Sequence, residues 1–547
     1  MSRVERITAF ISVNRWIIIA SLFFIVWKFF LIGVMWDGRS SPPEPDDSYI
    51  YIGNISSVSI CDDRLLCDYP TISTSNYTGF TYLSYRLIFG SIAKAFDIEP
   101  ATLFHASFYF GTLFLLPILI FFLSAMTKNR DLVALSVFFL ALYNGSGAYH
   151  GFFWVVPSFF SVALFLLIFA IIASRTKYWL ASLAFIVPIF VYMHPMSIYA
   201  IAIPVFYLAI SSIIRGKIRI GTFKRVAYTT LIAALSYLPM AIYLNGTPQK
   251  NPLGVMKAVE TIRTSVANIG SVSATAGSNA VSTTLPGTSS IHGDHLVNVL
   301  AAFQSMPSIY ENYLLWLFPH WIAILPFVIT ILLLFRYGQT RLLSLYLSLV
   351  FFVLVSSIDT FGSRSLIFIW PVTFVLYAFG FWYLIRFIDD TALRNKTIPK
   401  GVAYLGLALF IGLNIVYSVF WNQHVNKRDN IRLNPDFATY IIDHTDKNDH
   451  IFYASKTLQA YSLNTGLIER AYAESPESAK YAAMTADTEN ATASGKTGLD
   501  TFYDIMAKVL QKQRTSQQER ISEPIPSGYI LEKEFGSVRI YKNNEEN

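Results

Sequence analysis

The feature that most constrains this chain is a succession of long apolar runs separated by short clusters of Lys and Arg. A helix needs about twenty mostly apolar residues to cross a bilayer. Runs that meet or approach this length lie at 16–36, 102–124, 131–144, 155–174, 178–193, 196–214, 226–244, 313–335, 342–358, 365–385 and 402–421. The fold class that follows is mainly α, a polytopic transmembrane helical bundle of about eleven spans. Composition agrees, since only 14% of residues are charged where a soluble chain carries roughly 25%. The net charge of +7 is spread over the loops between runs, a pattern of topology signals that excludes a nucleic-acid patch.

The first run follows Arg3, Arg6 and Arg15 and leads to Trp36 and Asp37 without a small-residue cleavage site, so it reads as a retained span. Cytoplasmic loops collect Lys and Arg. With the N-terminus inside, the inner segments hold Lys128 and Arg130; Arg175 and Lys177; Arg215, Lys217, Arg219, Lys224 and Arg225; Arg336 and Arg341; and Arg386, Arg394, Lys396 and Lys400. Every predicted inner loop is basic. Two domains are expected, a membrane domain over 1–421 and an extracytoplasmic domain over 422–547. The membrane domain would carry two large outer loops, 37–101 and 245–312. Within the second loop, 271–290 is rich in Ser, Thr, Ala and Gly and cannot bury enough apolar surface to order by itself.

In the tail, 434–444 reads as a helix, 450–454 as a strand, and 529–534 with 537–541 as two strands around Phe535-Gly536, a small α/β soluble domain. In the first outer loop, Phe80, Leu83, Leu87, Ile88, Ser91, Ile92 and Ala95 recur at helical spacing, which predicts an interfacial amphipathic helix over 79–96. The stretch after Asp47 fits a second such helix or a strand. The two cysteines, Cys61 and Cys67, sit in the same loop and predict a small disulfide on the oxidising side.

All nine histidines fall at or beyond the outer ends of the runs in this topology, three of them in the tail. Ionisable groups within apolar spans are costly and mark function by default. Lys28 is the clear case, either in a polar cavity or snorkelling to the interface. Arg364 stands at the outer mouth of its run, a helix-end anchor or a bidentate phosphate ligand. His194-Pro195 reads as a donor-phosphate ligand or as a break between two spans. Just after the first span comes Pro45-Asp46-Asp47-Ser48-Tyr49-Ile50-Tyr51. A carboxylate there can serve as general base for a hydroxyl nucleophile, and an Asp after Pro is equally an ordinary helix N-cap.

This arrangement is similar to the GT-C superfamily of membrane glycosyltransferases, which have an inside N-terminus, a first outer loop with an acidic motif and interfacial helices, a multi-span bundle and often an outer C-terminal domain. The motif that carries the resemblance is Asp46-Asp47 followed by Tyr49 and Tyr51, with Arg364 in support. It implies sugar transfer from a polyprenyl-phosphate donor to a glycan or lipid acceptor on the extracytoplasmic face. Asp47 or Asp46 would be the base, and Arg364, Lys28, His194 and Tyr49 would bind the donor. Membrane lipids are the further partners, and nucleic acid is not one. No cofactor is certain from the residues, and a divalent cation is compatible with the chemistry. Two departures matter. The Trp-Trp-Asp motif of oligosaccharyltransferase catalytic subunits is absent, and the Asp-Glu and His-Glu pairs of several mannosyltransferase branches are not reproduced. The rival readings are a transporter or flippase, which would place several ionisable groups near the midplane, and a polysaccharide polymerase or ligase.

Overall fold

The structure, a computed structural model, describes residues 3–36, 51–56, 58, 82–143, 156–174, 177–245, 321–356, 366–391 and 397–428. Toward the C-terminus it describes 440–441, 443–446, 449–453, 471–472, 480–485, 529–535 and 538–543. Two compact units divide the chain: Met1–Gly38, Ser75–Ile98 and Thr102–His424 form one, and Arg39–Thr74, Glu99–Ala101 and Val425–Asn547 the other.

The first unit is a bundle of helices, and a helix coincides with each apolar run. Among the described residues five are long and apolar enough to cross a membrane: Ser12–Val34, Pro100–Met126, Pro195–Arg215, Ile367–Asp390 and Pro399–Val416. Shorter apolar helices occupy Pro157–Ala173, Trp179–Val191, Phe327–Arg336 and Thr340–Val353. Large apolar side chains also cover the outside, with Phe110 65% and Phe185 72% exposed. In water such a surface would drive association. Against lipid it is the ordinary solution, because helices satisfy their own backbone and need only an apolar exterior.

Local chemistry sets the helix ends. Pro157 and Pro195 begin their helices, where the missing N–H is harmless, and Asn129 caps Arg130–Ala141 by accepting from the amides of Asp131 and Leu132. Gly216 (φ 63°) and Gly338 (φ 64°) take the left-handed conformation that ends a helix and that residues with a Cβ resist.

Side-chain contacts sort the helix ends into two sets. At one end Arg341 donates to the carbonyl of Ala125 (2.8 Å), Arg225 to those of Ile171 and Ile172 (3.1 and 3.2 Å), and Arg215 to the Thr340 hydroxyl (3.0 Å). Tyr337 donates to Asp390 and Lys400 pairs with Asp389 at that end too. At the opposite end Ser161 meets Ser197 (2.6 Å), Tyr143 stacks on Trp370, and the amide of Ser84 donates to Tyr192 (3.1 Å). Successive helices therefore run up and down.

The amphipathic helix of the first loop is present as Leu83–Phe96. Its protein-facing side is Tyr85, Arg86, Gly90 and Ala93, whereas Ile88, from the predicted apolar stripe, is 39% exposed. Of the predicted stripe, Ile88, Ser91 and Ala95 are exposed and Leu83, Leu87 and Ile92 half-buried.

In the second unit residues 51–56 are helical, which resolves the open reading after Asp47 in favour of helix. All of 51–56 is buried, and so is Val58. The tail holds a five-stranded sheet of order β2-β1-β3-β5-β4, with β1 His450–Tyr453, β2 Ala471–Tyr472, β3 Tyr481–Thr485, β4 Tyr529–Phe535 and β5 Val538–Asn543. β1 is parallel to β2 and β3, and β5 is antiparallel to β3 and β4. Ile451, Tyr481, Ala482 and Ile540 are buried, as is Ile441 of the helical stretch before β1. Residues 434–439, Cys61 and Cys67, and the loop 271–290 lie outside the described residues.

Candidate active site

Of the residues singled out above, Asp46, Asp47, Tyr49 and Arg364 lie outside the described residues, and Lys28 and His194 lie within them. Lys28 is on the buried face of the first helix with Ala20, Phe24, Leu31 and Ile32, itself fully buried. It does not snorkel. Its Nζ donates to the carbonyl oxygen of Tyr143 at 2.7 Å, just past the end of Arg130–Ala141, where helix carbonyls lack backbone partners and a cation is favoured. The Phe24 ring lies 6.0 Å from the same nitrogen. Tyr143 also packs against Phe374. Trp370 and Phe374 belong to the helix Leu366–Asp390, which begins two positions after Arg364 in the chain.

His194 is 8% exposed and caps Pro195–Ala200, with Nδ1 accepting from the Met196 amide at 3.2 Å. A neutral ring accepting at Nδ1 carries its proton on Nε2. The break between spans and the histidine are therefore one device, in which Pro195 starts the new helix and His194 closes its first turn. The Tyr82 ring lies 5.6 Å from the imidazole. Tyr82 has φ 56°, a conformation that costs a residue with a Cβ roughly 1–2 kcal/mol.

Arg86 was not singled out from the sequence. One turn beyond Tyr82, whose carbonyl accepts from its amide at 2.9 Å, it is 8% exposed on the inward face of Leu83–Phe96. A signal existed, since an arginine between Tyr85 and Leu87 interrupts an amphipathic stretch. Tyr85 and Phe89 beside it pack on Phe160. This end of the bundle carries Arg86 and His194 beside aromatic rings, and Lys28 buried against the Tyr143 carbonyl. Among the described residues no three His, Cys, Asp or Glu side chains gather to hold a metal ion.

No family model matches the sequence, and no curated protein does. Solved structures do match. The oligosaccharyltransferase of Archaeoglobus fulgidus in complex with Zn and sulfate superposes with a TM-score of 0.55 at 11% identity, covering 86% of this chain and 68% of that one. The chain has the fold of an archaeal oligosaccharyltransferase. A second structure, oligosaccharyltransferase AglB of the same organism with an inhibitory peptide and a dolichol-phosphate, gives the same score and identity over 86% and 70%. The apo form gives 0.54 at 11% identity over 85% and 65%. At this identity the likeness concerns the fold alone.

Proposed function

We propose that the chain is a glycosyltransferase that moves a sugar from a polyprenyl-phosphate-linked donor to an acceptor hydroxyl on the extracytoplasmic face of the membrane. The observation that carries the reading is the shared fold with an oligosaccharyltransferase over 86% of the chain. Asp47, with Asp46 beside it, is the general base. The acceptor hydroxyl gives its proton to the carboxylate as its oxygen bonds to the anomeric carbon, and the bond from that carbon to the phosphate oxygen breaks with its electron pair leaving on the phosphate. Arg364 meets the charge of the departing phosphate through two parallel N–H donors, and Lys28, His194 and Tyr49 are the further donor-binding residues of this reading. The N-terminus is cytoplasmic and the tail extracytoplasmic.

One matched structure holds an inhibitory peptide and a dolichol-phosphate, and another is tethered to an acceptor peptide containing the NVT sequon. A lipid-phosphate donor is in keeping with the first. The absence of Trp-Trp-Asp here stands against an asparagine acceptor and in favour of a hydroxyl.

The test is transfer of label from a radiolabelled polyprenyl-phosphate sugar by the purified protein, run beside solute flux in liposomes containing the same preparation. Label transfer without flux is expected. Flux without transfer would replace this reading with a carrier. Reporter fusions at the C-terminus check the sidedness, alkaline phosphatase being active and green fluorescent protein dark on an extracytoplasmic tail.

A further inference from the structure

Three guanidinium groups converge at the end of the bundle opposite Lys28 and His194. Arg215 closes the helix Ala202–Arg215, Arg219 follows the left-handed Gly216, and Arg341 lies in the first turn of Thr340–Ser356. Arg215 Nε donates to the Thr340 hydroxyl at 3.0 Å, next in sequence to Arg341. The charges of Arg219 and Arg341 both act on Arg215, and all three act on the buried Tyr207 hydroxyl.

Among the described residues no carboxylate pairs with any of the three. Among the described residues the ion pairs of this unit are Arg386 with Asp390 and Lys400 with Asp389. Arg215 and Arg341 each use only part of a guanidinium's donor set, one bond to Thr340 and one to the Ala125 carbonyl, and Arg219 is exposed. Like charges held together without an acid repel one another unless an anion joins them. Beside them the surface is apolar and exposed, with Ile213 at 79%, Ile218 at 62%, Ile220 at 72% and Phe223 at 50%.

We propose that Arg215, Arg219 and Arg341 form a seat for the phosphate of an anionic membrane lipid in the leaflet bordering this end, with Ile213, Ile218, Ile220 and Phe223 lying against its acyl chains. The guanidiniums match a phosphodiester in charge and in planar donor geometry. The apolar rim selects a lipid over a soluble phosphate. The site is separate from the proposed catalytic end and stands whether or not that reading holds.

The experiment measures retained lipid by native mass spectrometry, and melting temperature in detergent, for the full chain with added phosphatidylglycerol, phosphatidylcholine or inorganic phosphate. Phosphatidylglycerol alone should be retained and raise the melting point. Arg219→Gln should weaken its binding about fivefold, since a basic residue near a membrane surface contributes about that factor, and Arg219→Glu should weaken it further. Arg219 makes no side-chain bond among the described residues, so these variants should fold. Lys128→Gln, an exposed change at the same end but outside the trio, should weaken binding less than Arg219→Gln does. Equal binding by wild type and Arg219→Glu, an equal loss in Lys128→Gln, or equal stabilisation by phosphatidylcholine or by inorganic phosphate would each overturn the proposal.

Discussion

Lys28 donates to the carbonyl oxygen of Tyr143 at 2.7 Å across 115 positions of sequence, joining the middle of the first helix to the end of another. A buried carbonyl deprived of its donor loses roughly 1–3 kcal/mol. Lys28→Met keeps the length and apolarity of the side chain while removing the bond, so its melting temperature in detergent should fall by several degrees. An unchanged melting temperature would mean that Lys28 does not lock the two helices together.

Gly380 of Leu366–Asp390 lies directly against Thr330 of Trp321–Arg336. A Cβ at Gly380 would run into the Thr330 hydroxyl and come within 3.0 Å of both Thr330 carbons. Small residues let membrane helices pack backbone to backbone, and overpacking such a contact costs about 1–3 kcal/mol. Gly380→Ala should therefore lower thermal stability, and adding Thr330→Gly should recover part of the loss. A double variant as unstable as Gly380→Ala would place the strain elsewhere.

The membrane architecture was legible because hydrophobicity is written along the chain: each apolar run meets a helix, and Pro157, Pro195 and Gly216 punctuate them where local chemistry dictates. The tail strands from 450, 529 and 538 were legible for the same reason. What depends on distant partners was not. Nothing near Lys28 in sequence points to Tyr143, and Arg86 looks like a surface charge until Leu83–Phe96 is seen to use two faces, Tyr85 and Arg86 on protein and Ile88 outward. β3, whose neighbours β1 and β5 lie 31 and 57 positions away by start of strand, carries no turn signal of a hairpin. Asp46, Asp47, Tyr49 and Arg364 stay readings of the sequence.

In the sheet unit, Lys480 donates to Asp449 at 2.9 Å, and that bond raises the lysine above its ordinary 10.5. Burial and the neighbouring Glu532 push Tyr440 up to about 12. Both groups hold their protons more tightly folded than unfolded. Their contribution is whole below the unfolded values, near 10.0 for Tyr440 and 10.5 for Lys480, and is lost as pH rises through the folded ones. Stability of the tail should therefore fall above pH 10. Asp449→Asn should remove the lysine's share, which for a partly exposed pair is about 0–1 kcal/mol. Limited proteolysis of the tail across this range, in wild type and variant, reads the difference. Parallel curves above pH 10.5 would show that the pair contributes nothing.

The proposed chemistry depends most on Asp46 and Asp47. An acceptor hydroxyl has a pKa far above neutrality, so it attacks only if a carboxylate within about 3 Å takes its proton as the bond forms. One base suffices for a single displacement. Asp47 is the better candidate because it lies nearer Tyr49 and the helical residues 51–56, while Asp46 directly follows Pro45, a position suited to a cap. Capping and catalysis predict different losses. Removing a cap costs about 1 kcal/mol of stability and spares turnover, whereas removing a base lowers turnover about 100-fold or more in a protein that still folds. Asp47→Asn is expected to show the second pattern and Asp46→Asn the first. Turnover and melting temperature measured together on each variant decide it, and near-normal turnover in both would move the base to another residue and take away the motif on which the glycosyltransferase reading leans.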